Sequence, residues 1–278
     1  MNVKKSVKTK KSIPEIQALK NKRPIVCLTS YTKPIAEIAN KYADIILVGD
    51  SLGMVLYGYK DTLPVTLDMM IQHGKAVVKS APNTSVLVDL PFGSYEYNDK
   101  IAFDTSVKIM KEVSGCVGVK LEGGKKVAKT VKRLTSNGIP VMGHIGLLPQ
   151  SINKEGSYKV QGKKEDEWLR LQEDAEVLTE SGAFCIVLET VVQPLAEKIT
   201  KSIPIPTIGI GSSVQCNGQI LVTEDLIGLT DKNLSFVKKY SNTRVVVEKA
   251  IKKYAQEVRN KSFPSKEHTF GFKISKNQ

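Results

Sequence analysis

Short apolar segments recur along the chain, and segments with helical periodicity separate most of them. The apolar segments predict eight β-strands, at residues 25–31, 44–50, 85–90, 116–121, 141–145, 183–188, 206–210 and 220–223. Alternating strands and helices favour a parallel sheet, and eight strands favour closure into a (β/α)8 TIM barrel over an open doubly wound sheet. The seventh unit is the weakest, because little helical sequence separates the last two strands.

Several of the predicted strands end in ionisable residues. These residues are Asp50, Asp89, Lys120 with Glu122, His144 and Glu189. In a parallel α/β barrel the carboxyl ends of all strands open on one face, and catalytic groups lie there. Ionised side chains are rare in buried strands, so their repetition at equivalent strand ends predicts one functional site at the barrel mouth.

The predicted domain organisation is simple, because no Pro/Gly/Ser-rich linker divides the 278 residues. We expect a basic, disordered tail at residues 1–12, a single barrel domain at 13–270 and a C-terminal tail at 271–278. The stretch 51–59, with two glycines and two tyrosines, is a candidate binding loop. The long irregular stretch 146–163 is a candidate lid.

The formal net charge of +13 lies in the two ends of the chain. Residues 1–23 carry +7 and residues 251–278 carry +5, which leaves +1 for the rest. Solvated termini are the simplest interpretation, and a basic rim that attracts an anionic ligand is the alternative. No basic stripe with interleaved aromatic residues accompanies this charge, so we expect no nucleic-acid partner.

Other sequence features favour a cytoplasmic protein that does not enter a membrane. No apolar run approaches the ~20 residues of a membrane span, and no apolar segment follows the basic N-terminus as in a secretory signal. The four cysteines are widely spaced, without a CxxC pair. Such cysteines are typical of buried thiols in a reducing compartment.

The candidate metal ligands are carboxylates. Asp50 and Asp89 end neighbouring predicted strands, and Glu122 adds a third carboxylate one strand further on. Clustered carboxylates repel one another unless a cation lies among them, and hard oxygen donors without a zinc-like Cys or His pair favour Mg²⁺. Taken singly, each acid could instead cap a helix or face solvent.

The remaining strand-end groups suit charge stabilisation and proton transfer. Lys120 could neutralise a substrate carboxylate or a developing enolate, or it could form an ordinary ion pair. His144 lies among small and apolar residues, as either a core histidine or a catalytic one. Glu189 ends the most apolar strand and suits proton abstraction. A divalent cation beside a carboxylate base is typical of enzymes that form an enolate from a 2-oxo acid and let it attack an electrophilic carbon.

Longer motifs carry a resemblance to a known family. They are DIILVGDSLGM from Asp44, TLPVTLD from Thr62, DLPF from Asp89, VKLEGG from Val119, PVMGHIGL from Pro140, QG from Gln161, IVLE from Ile186 and PTIGIG from Pro206. In order and spacing, from about residue 14 to 270, the chain resembles ketopantoate hydroxymethyltransferase (3-methyl-2-oxobutanoate hydroxymethyltransferase). It departs from the family pattern at Gly93-Ser94, Ser212-Ser213 and Asn217, which are neither ligands nor the base.

The resemblance implies a barrel of the phosphoenolpyruvate/pyruvate type that uses Mg²⁺. It implies hydroxymethyl transfer from 5,10-methylenetetrahydrofolate to 2-oxoisovalerate through a metal-stabilised enolate, giving ketopantoate in the first step of pantothenate and coenzyme A biosynthesis. It also implies a cytoplasmic homo-oligomer, possibly a decamer.

The resemblance also implies a role for each matching residue. Asp50 and Asp89 would ligate Mg²⁺, with Glu122 as a further ligand or near-ligand. Ser51, Asp50, Asp89 and Lys120 would bind the oxo acid. Glu189 would be the proton acceptor, and Lys120 and His144 would complete the catalytic group.

Two other functions remain open from the sequence. One is a Mg²⁺-dependent C–C lyase or mutase of the isocitrate-lyase type, although such enzymes usually need a reactive cysteine on a lid and residues 146–163 contain none. The other is a non-catalytic barrel that binds anionic partners through its basic ends. That protein would have no need for Glu189 or Asp50.

Overall fold

A closed parallel barrel is the central feature of the computed structural model, which describes residues 8–231 and 234–271. Each strand pairs in parallel with the next, and the last pairs with the first. The strands are β1 (Ile25–Thr29), β2 (Ile45–Val48), β3 (Ser85–Asp89), β4 (Gly118–Lys120), β5 (Val141–Gly146), β6 (Cys185–Glu189), β7 (Thr207–Ile210) and β8 (Gly218–Leu221). The predicted (β/α)8 barrel is confirmed.

Helices follow every strand except β7 in the described chain, in line with the predicted alternation, and the short α3 and α7 lie in the stretches 51–59 and 146–163 that were predicted as loops. They are α1 (Ile13–Gln17), α2 (Lys33–Ala39), α3 (Leu52–Val55), α4 (Leu67–Ser80), α5 (Asp99–Glu112), α6 (Ala128–Thr135), α7 (Ile152–Glu155), α8 (Glu165–Glu180), α9 (Gln193–Ser202), α10 (Thr223–Leu226) and α11 (Thr243–Arg259). Thr66 and Asn98 cap α4 and α5 by accepting hydrogen bonds from backbone N–H groups of the first turn. No helix within the described residues is long and apolar enough to cross a membrane.

The last strand begins two residues earlier than the sequence predicts. Gly218 starts β8 and pairs with Ile25 on one side and Ile208 on the other. A Cβ atom at this position would lie 2.5 Å from the Ile25 carbonyl oxygen, so the close pairing requires glycine. Glycine is a poor strand former on propensity alone, which is why the sequence pattern places the strand start later.

Alternating strand positions divide the apolar residues into two layers. On β2, Ile45 and Leu47 belong to the smaller core cluster, whereas Ile46 and Val48 belong to the larger one. The smaller cluster also contains Ile16 of α1, which is fully buried. Apolar side chains fill the barrel interior. The polar groups at the carboxyl ends of the strands are therefore the place where chemistry can occur.

The described part of the basic N-terminal segment is held against the barrel. Lys8 Nζ donates hydrogen bonds to the Asn40 carbonyl oxygen at 2.7 Å and to Thr84 Oγ1 at 2.6 Å. Lys11 Nζ lies 3.3 Å from Asp44 Oδ1. Residues 8–12 therefore differ from the predicted disordered tail, because lysine ammonium groups satisfy backbone and carboxylate acceptors there. Residues 1–7 lie outside the described residues, as do residues 272–278 of the predicted C-terminal tail.

The described chain separates into two compact units, whereas the sequence predicts one domain over residues 13–270. The first unit extends to Thr223 and contains all eight strands. The second begins at Glu224 and contains α11, a helix without a buried residue. The boundary falls where the barrel is complete, so the candidate site belongs to the first unit.

Candidate active site at the barrel mouth

Strand register brings together Asp89 and Lys120, two of the polar residues at strand ends. Asp89 on β3 and Lys120 on β4 are direct partners across the sheet. Lys120 Nζ lies 2.6 Å from Asp89 Oδ2 and 3.6 Å from Glu122 Oε1. All three side chains are buried. The ammonium group therefore stands between two carboxylates, as expected for polar side chains at the ends of adjacent parallel strands.

His144 continues this series of contacts toward the sixth strand. Its Nδ1 lies 3.5 Å from Glu122 Oε1 and its Nε2 lies 3.2 Å from Glu189 Oε2. Neither ring nitrogen has an aligned hydrogen-bond partner within the described chain. The side chain of Glu189 is 16% exposed and that of Glu122 is 3% exposed. Glu189 is thus the carboxylate that faces the open mouth.

The residue that follows Glu189 has a strained backbone conformation, and hydrogen bonds hold the backbone around it. Thr190 has a φ of 53°, a left-handed conformation that is unfavourable for a β-branched residue. Ser212 Oγ donates to the Leu188 carbonyl oxygen at 2.7 Å and accepts from the Val191 N–H at 3.1 Å. Ser212, one of the departures from the family pattern, therefore clamps the backbone on both sides of the predicted base.

Asp50 is joined to the other acids by Gln150, a residue that the sequence did not predict as part of the site. Gln150 Nε2 donates to Asp50 Oδ2 at 2.9 Å, and the Gln150 backbone N–H donates to Glu122 Oε2 at 3.0 Å. Tyr95, also missed, places its hydroxyl oxygen 2.6 Å from Gln150 Oε1. The sequence signal was weak, because Gln150 lies in a stretch without periodicity. Its one indication was a polar residue in a Pro-Gln-Ser turn shortly after a strand end.

Ser51 lies beside Asp50 but its hydroxyl pairs elsewhere. The Ser51 and Tyr31 hydroxyl oxygens are 2.7 Å apart. Tyr31 is fully buried at the end of β1 and was not predicted as a site residue. The structure thus brings Asp89, Lys120, Glu122, His144 and Glu189 into one series of contacts, joins Asp50 to it through Gln150, and places Ser51 at its side.

Burial raises the pKa values of the three buried acids more than the nearby positive charge lowers them. Burial raises the pKa of Asp50, although the nearby Lys120 charge opposes the change. Burial likewise raises the pKa of Asp89 to about 7 against the opposing charge of Lys120. The pKa of Glu122 rises well above its ordinary value, again through burial. One lysine therefore does not compensate three buried carboxylates.

The two basic groups respond in opposite directions. Burial alone would lower the pKa of Lys120, but the surrounding carboxylates outweigh it and raise the pKa. Burial lowers the pKa of His144, and the charge of Lys120 lowers it further. At neutral pH the site therefore holds a charged lysine and a neutral imidazole.

The donor chemistry fits a hard cation held by few protein ligands. No compact group of three or more Cys, His, Asp or Glu ligands occurs among residues 8–231 and 234–271. Asp89 Oδ1, however, is buried without a hydrogen-bond partner in the described structure. An orphaned carboxylate oxygen in a site short of positive charge suits Mg²⁺, which commonly takes one or two carboxylates and completes its shell with water and substrate oxygens.

Solved structures share the architecture at low sequence identity. Phosphonopyruvate hydrolase is 13% identical, with a TM-score of 0.58 and coverage of 95% of this chain and 92% of that chain. A 2,3-dimethylmalate lyase of the PEP mutase/isocitrate lyase superfamily is 13% identical, with a TM-score of 0.56 and coverage of 95% and 91%. This likeness defines the fold alone. The protein is a parallel (β/α)8 barrel with its candidate site at the carboxyl ends of the strands, as predicted.

Sequence comparison narrows this class to one family. The model of the ketopantoate hydroxymethyltransferase family matches residues 10–266 of this chain. The 3-methyl-2-oxobutanoate hydroxymethyltransferase of Parvibaculum lavamentivorans is 49% identical over 276 residues, 99% of this chain and 100% of that protein. The protein of that name from Chelativorans sp. is 51% identical over 258 residues, 92% of this chain and 91% of that protein. The chain belongs to the ketopantoate hydroxymethyltransferase family, and it is an enzyme of the one-carbon transferase class.

Proposed function

We propose that this enzyme transfers a hydroxymethyl group from 5,10-methylenetetrahydrofolate to 2-oxoisovalerate and thereby forms ketopantoate for pantothenate biosynthesis, with Mg²⁺ as its metal ion. The names of the two relatives support the product. The observation that carries the chemistry is the contact series from Asp89 to Glu189, in which the buried acids lie around Lys120 and the more exposed acid faces the mouth.

The oxo acid has a complementary place beside Lys120. Its carboxylate and 2-oxo oxygens are acceptors, and the charged Lys120 ammonium is a donor that already lies between Asp89 and Glu122. We assign Asp50, Ser51, Asp89 and Lys120 to substrate binding. When the 2-oxo acid loses its C3 proton, the ammonium charge also stabilises the negative charge that develops on the 2-oxo oxygen.

Metal binding is assigned to the acids at the adjacent strand ends. Asp50 and Asp89 would hold Mg²⁺, with Glu122 beside them, because these are hard oxygen donors and Asp89 Oδ1 lacks a partner in the described structure. When bound, Mg²⁺ supplies Lewis-acid chemistry that makes the C3 proton of the oxo acid more acidic.

Glu189 is assigned as the base that removes the C3 proton. It lies at the carboxyl end of β6, faces the mouth and is separated from the buried acids by the neutral His144 ring. A neutral imidazole 3.2 Å from Glu189 Oε2 fills the space without adding a competing positive charge. The carbanion left at C3 after Glu189 takes the proton then attacks the methylene carbon of 5,10-methylenetetrahydrofolate. The bonds from that carbon to the folate nitrogens break and one water supplies its hydroxyl group, so ketopantoate and tetrahydrofolate are the products.

The Mg²⁺- and folate-dependent steps are tested by two assays on the purified protein. The first follows loss of the C3 proton of 2-oxoisovalerate in D₂O by NMR, with Mg²⁺ or with a chelator. The second measures ketopantoate after 5,10-methylenetetrahydrofolate is added. Mg²⁺-dependent exchange followed by folate-dependent product supports the proposal. Product formation that persists in excess chelator contradicts the metal, and exchange without product contradicts the donor.

The assembly and location expected for this enzyme form a separate part of the proposal. The family resemblance supports a cytoplasmic homo-oligomer of the 30.6 kDa chain, with a decamer as the specific expectation. Light scattering after size exclusion gives the oligomer number directly, and a monomer at micromolar concentration would contradict it.

A further inference from the structure

Gln150 occupies an unusual position for a residue of a long connection between strand and helix. It lies in the 3₁₀ turn Pro149–Ser151 after β5, and it is 4% exposed. Its side chain reaches Asp50, 100 positions earlier in the chain, while its own backbone N–H reaches Glu122. One residue thus contacts two of the three acids assigned to the metal.

Every polar atom of the Gln150 side chain has a partner that fixes its orientation. Nε2 donates to Asp50 Oδ2 and to the Leu90 carbonyl oxygen, both at 2.9 Å. A carbonyl oxygen only accepts, so the NH₂ group must face Leu90, and Oε1 must face the Tyr95 hydroxyl at 2.6 Å. The amide therefore presents a donor to Asp50 in one defined geometry.

The partner of Gln150 Oε1 is itself tied to the same acid. The Tyr95 hydroxyl oxygen lies 3.2 Å from the Glu122 backbone nitrogen, which donates to it. Tyr95 is 2% exposed. Gln150, Tyr95 and the backbone of Glu122 thus form a closed, buried network around the ends of β2 and β4, and such networks keep their members in place when each polar atom is satisfied.

We infer that Gln150 is a positioning residue that holds Asp50 and Glu122 at the separation required for the metal and the oxo acid. The inference rests on the proposed function. Two buried carboxylates repel each other, and donors aimed at one fixed oxygen of each acid oppose that repulsion. Because the side chain serves one acid and the backbone the other, the position of the 3₁₀ turn sets both.

A near-isosteric variant separates positioning from packing. Gln150→Met keeps the volume but removes both donors and the acceptor, whereas the backbone contact to Glu122 remains. We expect Mg²⁺ affinity, measured by calorimetry with saturating 2-oxoisovalerate, to weaken about 10- to 100-fold, with a similar loss of C3 exchange at subsaturating Mg²⁺. The thermal unfolding midpoint should fall, because Asp50 Oδ2, the Leu90 carbonyl oxygen and the Tyr95 hydroxyl lose a buried partner, so the assays are made at a temperature where circular dichroism shows the variant folded.

A matched control exists on the surface. Gln193 Nε2 donates to Glu197 Oε1 at 2.9 Å, the same length as the Gln150–Asp50 bond, but on the exposed face of α9. Gln193→Met removes a glutamine–carboxylate hydrogen bond of the same kind outside the site. We expect unchanged Mg²⁺ affinity and exchange for this variant, which separates loss of the site geometry from loss of any such bond.

A second variant covers the case in which Gln150→Met fails to fold. Tyr95→Phe removes only the hydroxyl that fixes Gln150 Oε1, and we expect about a two- to tenfold weaker Mg²⁺ affinity. If the unaltered enzyme is active and Gln150→Met also binds Mg²⁺ and exchanges the C3 proton normally, the inference is wrong but the proposed function stands. Tyr95→Phe decides in the same way if Gln150→Met does not fold. An unaltered enzyme without Mg²⁺ binding or exchange would overturn the proposed function and the inference with it.

Discussion

Lys120 Nζ lies 2.6 Å from Asp89 Oδ2, and both side chains are buried at the end of adjacent strands. This pair occupies one oxygen of Asp89 and leaves Oδ1 without a partner in the described structure. A buried pair with an unused carboxylate oxygen is arranged for a further ligand, and its disruption removes both a charge partner and a donor atom.

The first prediction concerns the metal. Asp89→Asn should lower Mg²⁺-dependent C3 exchange by more than about 100-fold, beyond the loss typical of a residue that only supports a ligand. The fold should persist, because Asn keeps the shape of the side chain and Lys120 Nζ still lies 3.6 Å from Glu122 Oε1. Exchange is measured against Mg²⁺ concentration, and folding by circular dichroism.

The control for this experiment is an exposed Asp–Lys pair. Asp68 Oδ1 lies 3.4 Å from Lys108 Nζ on the surface, so Asp68→Asn should leave exchange unchanged. Full exchange by Asp89→Asn, or by the unaltered enzyme in excess chelator, would remove Asp89 and Mg²⁺ from the mechanism.

The second prediction concerns the base. Glu189→Gln keeps the shape of the side chain but removes the proton acceptor, so C3 exchange should fall about 10²–10⁴-fold even without folate. Binding of Mg²⁺ and the oxo acid should persist, because the groups assigned to them lie on other strands. Glu180→Gln, at the exposed end of α8, serves as the control. If exchange continues at the unaltered rate, His144 becomes the next candidate base.

The third prediction concerns acid stability. Burial raises the pKa of Asp44, but hydrogen bonds from Arg23 and the Val26 N–H, with the Arg23 charge, outweigh it and lower the pKa to about 2. The ordinary value is 3.8. The native state therefore binds fewer protons than the unfolded state between these values. This contribution to stability is present above pH 3.8 and is lost as the pH falls toward 2.

Asp44→Asn tests this sign directly. We expect about 1–3 kcal/mol lower free energy of unfolding at neutral pH and a flatter decline between about pH 4 and 2, measured by urea unfolding. Glu112→Gln, in an exposed pair with Lys75, should change little. If the free energy of unfolding of Asp44→Asn falls at acid pH as steeply as that of the unaltered protein, the Arg23 contact does not cause this pH dependence.

The fourth prediction concerns the basic N-terminal segment. Lys8→Met keeps the aliphatic stem but removes the donors to Asn40 and Thr84, so it should lower the free energy of unfolding by about 1–3 kcal/mol. Exchange and product formation should not change, because the residues assigned to catalysis lie at the opposite end of the barrel. Exposed Lys41→Met is the control. A salt-sensitive loss of folate affinity would instead indicate that the basic end attracts the anionic cosubstrate.

Much of the architecture was predictable because it is encoded locally. Short continuous apolar segments followed by helical segments predict parallel strands, and a closed barrel then brings their carboxyl ends to one face. The closeness of Asp89 and Lys120 follows from this logic, since consecutive strands are neighbours. The start of β8 at Gly218 did not follow, because that glycine is selected by close backbone approach and not by strand propensity.

The sequence by itself determined where the candidate polar groups stand: Asp50, Asp89, Lys120 and Glu189 lie at or just after strand ends, and His144 lies in the second half of β5, whatever the loops do. Only the tertiary structure decided how they are held. Gln150 and Tyr95 meet Asp50 and Glu122 through loops that have no periodicity, and Ser212 holds the backbone beside Glu189 from the loop after β7. Periodicity reports the burial of each residue in its own segment, whereas contacts between distant loops depend on how the completed barrel packs them.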